Sequence, residues 1–154
     1  MFIFLLLSAL ISCSSSRRDI YQISSIGVIK TQDRITTIEI DKEYEDALLG
    51  LNEFSHVIVC YWFHKNDNPD QRKILMVHPR GDFQNPLSGV FATRAPVRPN
   101  LIGISLCKIL SIEGNVIQID TIDALDGSPV IDLKPYIPRI DSAADAQVPE
   151  WVYK

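Results

Sequence analysis

Arg94 and Arg98 stand in the stretch GVFATRAPVRPN (residues 89–100), interleaved with Pro96 and Pro99. Each guanidinium is a rigid fork of five donors, suited to a carboxylate, a phosphate or a flat π face. Proline fixes φ and removes a backbone donor, so the segment is stiff and non-helical. A stiff loop of this kind can aim both forks at a ligand. The acidic residues gather elsewhere, in DALDGSPVIDLKPY (residues 123–136), where Asp123, Asp126 and Asp132 surround a turn with Lys134 nearby. Two readings fit that stretch: a hairpin turn beside a salt bridge, or one wall of a polar pocket built from Ser128 and the turn's backbone, facing Arg94. The histidines offer little to a metal. His56 and His64 share strand parity, but eight extended residues separate them by about 26 Å, and His78 ends a different run. No C-x-x-C pair, nucleophile elbow or phosphate-binding glycine loop occurs, so no metal site is expected and no catalytic side chain is assigned.

The elements that position these residues read as strands. Residues 20–30 and 34–40 are rich in β-branched side chains. Asp41 looks like the N-cap of a short helix ending near Gly50. HVIVCYWFH (residues 56–64) is almost continuously apolar, the pattern of a strand buried on both faces or of a barrel stave. Further strands are expected at 72–78, 87–93, 101–114 and 115–122. A turn at Glu113-Gly114-Asn115 separates the last two, and Asp126-Gly127 is another turn signal. Many short strands with Gly, Pro, Asn and Asp punctuation predict one mainly β domain, a barrel or sandwich with one or two short helices. Cys60 and Cys107 fall inside apolar runs and read as buried thiols. A disulfide between them is left open.

The chain has 154 residues, 46% hydrophobic and 22% charged, with a net charge of -4. That is ordinary globular composition for one domain. There is no global basic field for a nucleic acid, so a polyanion would need a local patch, for which Arg72, Lys73, Arg80, Arg94 and Arg98 are candidates. The chain opens on MFIFLLLSALISC, an apolar run of signal-peptide length. Leu10-Ile11-Ser12-Cys13 resembles the lipobox of bacterial lipoproteins, in which Cys13 would be lipidated and anchor the chain to a membrane. The charges usual before such a run are missing, since Arg17 and Arg18 follow the cysteine. The alternative is a misassigned start. The expected organisation is a leader over 1–18, a barrel over 19–141 and a tail over 142–154. The protein would be cytoplasmic if the start is misassigned, and otherwise a lipoprotein on the periplasmic or outer-membrane face.

Four segments carry a resemblance: IGVIKT, LNEFSHVIVCYWFHK, GVFATRAPVRPNLIGISL and DALDGSPVIDLKPY. Together they resemble the TsaA-like domain of the tRNA-methyltransferase O family over residues 20–141. The resemblance implies a single-sheet β-barrel acting as a homodimer. It implies S-adenosyl-L-methionine as cofactor and tRNA as partner, with methylation of the exocyclic amine of threonylcarbamoyl-adenosine beside the anticodon. Carried over by position, Phe63, His64, Arg94, Ser105, Asp126, Gly127, Ser128 and Pro129 are expected to form the cofactor pocket. Arg94 suits the methionine carboxylate or a tRNA phosphate. Arg98 either touches the substrate or braces its loop by pairing with an aspartate.

Two features depart from the family. A Pro/Gln/Gly loop that helps cover the cofactor is replaced by Thr31-Gln32-Asp33-Arg34, and the leader, if real, would keep the chain away from tRNA. The alternative function is therefore a lipid-anchored, non-catalytic binding barrel that reuses the fold.

Overall fold

The structure is a computed structural model, described here for residues 19–153; the leader and Cys13 lie outside the described residues. Six strands close a barrel in the order β1-β2-β7-β6-β3-β8: β1 (Gly27–Gln32), β2 (Ile35–Ile40), β3 (His56–Trp62), β6 (Ile102–Glu113), β7 (Val116–Ile119) and β8 (Pro129–Pro135). Two-residue strands β4 (Met76–Val77) and β5 (Ser88–Gly89) pair outside it. All pairings are antiparallel, as expected for a mainly β barrel. No helix among the described residues is long and apolar enough to cross a membrane.

Alternation supplies the core. In β3 the side chains of Val57, Val59 and Tyr61 point inward and are buried, while His56, Ile58, Cys60 and Trp62 face out. The continuous apolar run is thus a barrel stave. The inward row meets Ile29, Ile38, Ile40, Cys107, Ile117, Ile119 and Val130. Fully burying each aliphatic side chain contributes about 1.5–3 kcal/mol, so this cluster holds the barrel closed.

Several expectations are corrected. The first strand begins at Gly27 rather than at residue 20. The expected helix after Asp41 is two 3-10 turns, Lys42–Leu48 and Leu51–Glu53, and Asp41 makes no side-chain cap. The runs at 72–78 and 87–93 keep only β4 and β5, with the four-residue helix α1 (Pro69–Arg72) and a 3-10 turn beside them. The Asp126-Gly127 turn does not make a hairpin, because β7 and β8 are not neighbours in the barrel. The Lys134–Asp132 ion pair expected beside it is present at 2.7 Å. Finally, Cys107 sits opposite Val57 and faces inward, whereas Cys60 sits opposite Ile104 and faces out. Side chains on opposite faces of a sheet cannot be bridged, so both are free thiols. Burial pushes the Cys107 thiol up to about 11.

Candidate functional site

The barrel wall has a gap along β6. Residues 102–108 pair with β3 on one side, but β7 joins the other side only from Ile109 onward. The exposed edge is anchored at both ends. The guanidinium of Arg94 donates to the Ile104 carbonyl at 3.2 Å. The Lys108 amide donates to Asp120 Oδ1 at 2.9 Å, and the Asp120 amide donates back to the Lys108 carbonyl at 3.1 Å. Burial would raise the Asp120 carboxyl, but the backbone amides of Lys108, Thr121 and Asp120 itself outweigh it and hold the carboxyl below the usual carboxylate range. Between the anchors, the Leu106 amide and carbonyl face the same way, with no strand beside them among the described residues.

A cavity of about 600 Å³ opens along this edge, walled by Arg94, Arg98, Phe63 and Ser105 and by Ile122 and Asp123 of the segment after β7. Its volume is in the range of small-molecule sites. Tyr61 and Phe63 meet edge-on at its floor, with ring centroids 5.5 Å apart. The Tyr61 hydroxyl donates to the Asp123 carbonyl at 2.5 Å, tying β3 to that segment. Burial raises the Tyr61 phenol above its ordinary value, against the opposing effect of Ser105, so the ring is a neutral donor at physiological pH. Gly103 is what lets these rings sit so close. A Cβ there would lie 2.5 Å from Tyr61 Cε2 and 3.0 Å from Phe63 Cζ.

Within the arginine loop, Arg98 adds tertiary bonds to the constraint that the prolines impose. It donates to the carbonyls of Val90 at 2.9 Å and Thr93 at 3.4 Å. It braces its own turn through backbone carbonyls rather than through an aspartate, and still lines the cavity. Among the other candidates for a basic patch, Arg72 pairs with Asp67, Lys73 with Asp70, and Arg80 donates to the Val152 carbonyl of the tail.

Of the residues singled out in the sequence, the cavity brings together Phe63, Arg94, Arg98 and Ser105. His64, Asp126, Gly127 and Ser128 form a neighbouring cluster outside its walls. There the Ser128 hydroxyl, 2% exposed, lies 3.3 Å from His64 Nδ1. Asp126 Oδ1 accepts from the Thr31 amide at 2.8 Å, and Gly127, at φ +77°, donates to the Ile29 carbonyl at 2.8 Å. The turn therefore stitches the end of β1 to the start of β8, and its Gly127 takes a left-handed conformation that glycine adopts without strain. Pro129 lines a second, adjoining groove. The three histidines sit apart: His56 beside Ser55, His64 beside Ser128, His78 beside the Asn85 carbonyl. No group of metal-ligating side chains among the described residues could hold an ion.

Sequence reasoning missed Tyr61, the β6 edge and residues 121–122, and named Asp123 only within its acidic stretch. A glycine inside the apolar run LIGISLCK was the one available signal, since such a glycine marks a close approach. The unpaired edge left no signal, being a property of strand order.

Comparison with known proteins agrees with this architecture. A probable S-adenosyl-L-methionine-binding protein of Methanocaldococcus jannaschii is 49% identical over 121 residues, covering 79% of this chain and 96% of that protein. The tRNA (adenine(37)-N6)-methyltransferase of Mus musculus is 42% identical over 104 residues, covering 68% of this chain but 23% of the mouse protein. The crystal structure of TrmO from Pseudomonas aeruginosa superposes with a TM-score of 0.65 at 31% identity, covering 84% of this chain and 62% of that one. Residues 23–142 match the model of the tRNA-methyltransferase O N-terminal domain, and the chain belongs to that family.

Proposed function

We propose that this chain is an S-adenosyl-L-methionine-dependent methyltransferase that modifies an adenosine of tRNA, with threonylcarbamoyl-adenosine beside the anticodon as the acceptor. The observation that carries the reading is the cavity on the unpaired β6 edge, whose donor set suits each part of the cofactor. The Leu106 amide and carbonyl present the donor–acceptor pair that matches the N1 and amino edge of an adenine. Phe63, backed edge-on by the buried Tyr61, offers aromatic surface for its ring. The Asp123 carboxylate suits the ribose hydroxyls. Arg94 has one guanidinium nitrogen on the Ile104 carbonyl and further donors left for a carboxylate.

The cofactor supplies an electrophilic methyl group. The residues of this chain bind, orient and exclude water, which is where in-line displacement gains most of its rate. His64 and the turn formed by Asp126, Gly127, Ser128 and Pro129 act here as positioning residues, since His64 follows Phe63 directly and Ser128 holds its ring. Arg98 keeps Arg94 aimed.

A homodimer is the assembly that the family resemblance implies, and one surface supports that reading. Ile102, Ile104, Leu106 and Leu110 form an exposed apolar row along the outer face of β6, and the first three also rim the cavity. A second copy seated on this row would bury it and close the cavity together. Sedimentation checks this: a monomer at micromolar concentration refutes it.

Two measurements test the function. Calorimetry with S-adenosyl-L-methionine should give saturable heat that Arg94→Ala weakens. Labelled methyl should pass from the cofactor to tRNA that carries threonylcarbamoyl-adenosine but lacks its N6-methyl group. Absence of binding at millimolar cofactor overturns the proposal.

A further inference from the structure

A second groove, of about 780 Å³, runs beneath the extended segment at 19–25 and meets the first cavity at Ile102, which lines both. Its floor is a locked aromatic plane. Trp62, outward-facing at the end of β3, donates from its indole nitrogen to Asp67 Oδ2 at 2.9 Å. Asp67 Oδ1 in turn accepts from Arg72 Nε at 3.0 Å and from its Nη2 at 2.8 Å. Arg72 also donates to the Pro99 carbonyl at 3.1 Å and lies over the indole, 5.3 Å from its centroid. The hydrogen bonds to Trp62 and Arg72, the former the larger effect, hold the Asp67 carboxyl below its ordinary value, so the clasp is charged at neutral pH.

The walls are apolar. The register shift between β3 and β8 leaves Ile131 without a cross-strand partner, and it lines the groove with Ile102. The side-chain amide of Asn100, the last residue of GVFATRAPVRPN, makes no hydrogen bond among the described residues, and Asn100 lines the same groove at the end of β6 nearest Trp62.

We propose that this groove receives the acceptor nucleobase, an adenine flipped from its RNA, which stacks against the Trp62–Arg72 plane and is read by the Asn100 amide. The inference deepens the proposed function and rests on it. Three observations single out a base rather than a phosphate. The Arg72 charge is already neutralised by Asp67, which removes the attraction a phosphate needs. The indole nitrogen and guanidinium have their partners, so a ring can stack on them without stranding a donor. An asparagine amide pairs bidentately with adenine through its N6 and N7 groups. Because Ile102 separates the two cavities, a base held here adjoins the place proposed for the methyl donor.

The test uses the full chain and a synthetic tRNA anticodon stem-loop with adenine at the acceptor position and 2-aminopurine as its 3′ neighbour. Binding should unstack that neighbour as the adenine flips out and raise the 2-aminopurine fluorescence. Trp62→Ala should weaken stem-loop affinity by roughly five- to a hundred-fold, the range for loss of one base–aromatic stack. Trp62→Phe should restore most of it. Asn100→Ala, an exposed change that leaves the fold intact, should lower affinity for the adenine-containing loop and erase its preference over a loop with uracil at that position. Cofactor binding, measured by calorimetry on the same variants, should stay at the wild-type value. Wild-type affinity in both Trp62→Ala and Asn100→Ala overturns the inference, as does a wild-type protein that binds cofactor but never raises the 2-aminopurine signal of the loop. A wild-type protein that binds neither refutes the proposed function, and this inference falls with it.

Discussion

Replacing Gly103 with alanine tests the close packing at the cavity floor, and even its sign is informative. In a strand with free space, glycine is destabilising relative to alanine by about 0.5–1 kcal/mol, so the substitution would raise stability. Here the added Cβ would sit 2.5 and 2.6 Å from two atoms of the Tyr61 ring and 3.0 Å from Phe63. Ordinary contact begins near 3.4 Å, so the Tyr61 ring must retreat by nearly an ångström. It has no room: Tyr61 is buried on β3 and its hydroxyl is fixed to the Asp123 carbonyl. Overpacking of this kind costs about 1–3 kcal/mol, and loss of the Tyr61 hydrogen bond adds about 1 kcal/mol. After subtracting the backbone gain, we expect a net loss of about 2 kcal/mol, which for a domain of this size lowers Tm by roughly 5–8 °C. Differential scanning calorimetry reads the stability, and titration with S-adenosyl-L-methionine reads the site, where affinity should fall as the aromatic pair shifts. An unchanged or raised Tm with wild-type cofactor affinity would refute the reasoning, because the rings would then have moved freely.

Other outcomes follow from the same geometry. Arg94→Ala removes the charged donor proposed for the cofactor's carboxylate and should weaken cofactor binding about ten- to a hundred-fold, as expected for a hydrogen bond to a charged group, with the Tm nearly unchanged. Asp67 has a lowered pKa in the folded chain, so its stabilising contacts are fully present above the ordinary value of 3.8 and are lost as pH falls through the folded value. An acid titration of Trp62 fluorescence, with Trp151→Phe as background, should therefore show its midpoint below 3.8, and a midpoint above that would contradict the clasp. Cys107, buried and pushed to about 11, should resist a thiol reagent at pH 8 in the folded protein and react after unfolding in denaturant. Rapid labelling of the native thiol by mass spectrometry would place Cys107 elsewhere.

Much of the barrel was legible because β-branched runs mark strands directly, as at residues 35–40, 102–113 and 116–119. Partnering was not legible. The Asp126-Gly127 signal identifies a reversal of the chain, but nothing local says that β8 then slots between β1 and β3 rather than against β7. The apolar length of residues 56–64 hid its alternation, since the outward residues Ile58, Cys60 and Trp62 are as apolar as the inward ones. At the site, Arg94 was marked by the long motif and Phe63 by the family resemblance, and the bracing of Arg98 was foreseen with the wrong kind of partner. Leu106 was invisible as a site residue, because its contribution comes from its backbone. Asp123 was visible as one of the acidic residues before the turn, but its place on the cavity wall comes from the path of the segment after β7, which side-chain type does not record.

The order of strands has a consequence for synthesis on the ribosome. The barrel closes only when β8 enters between β1 and β3, and β8 meets β1 over just two residue pairs, Gly27 with Val130 and Val28 with Pro129. Until residue 135 has left the exit tunnel, β1 and β3 each carry an open edge, the exposed backbone row on which strands of neighbouring chains add. A nascent chain stalled after β7 is therefore an unsealed sheet. Of the barrel's strands, β8, the last made, is the one that ends its exposure to aggregation.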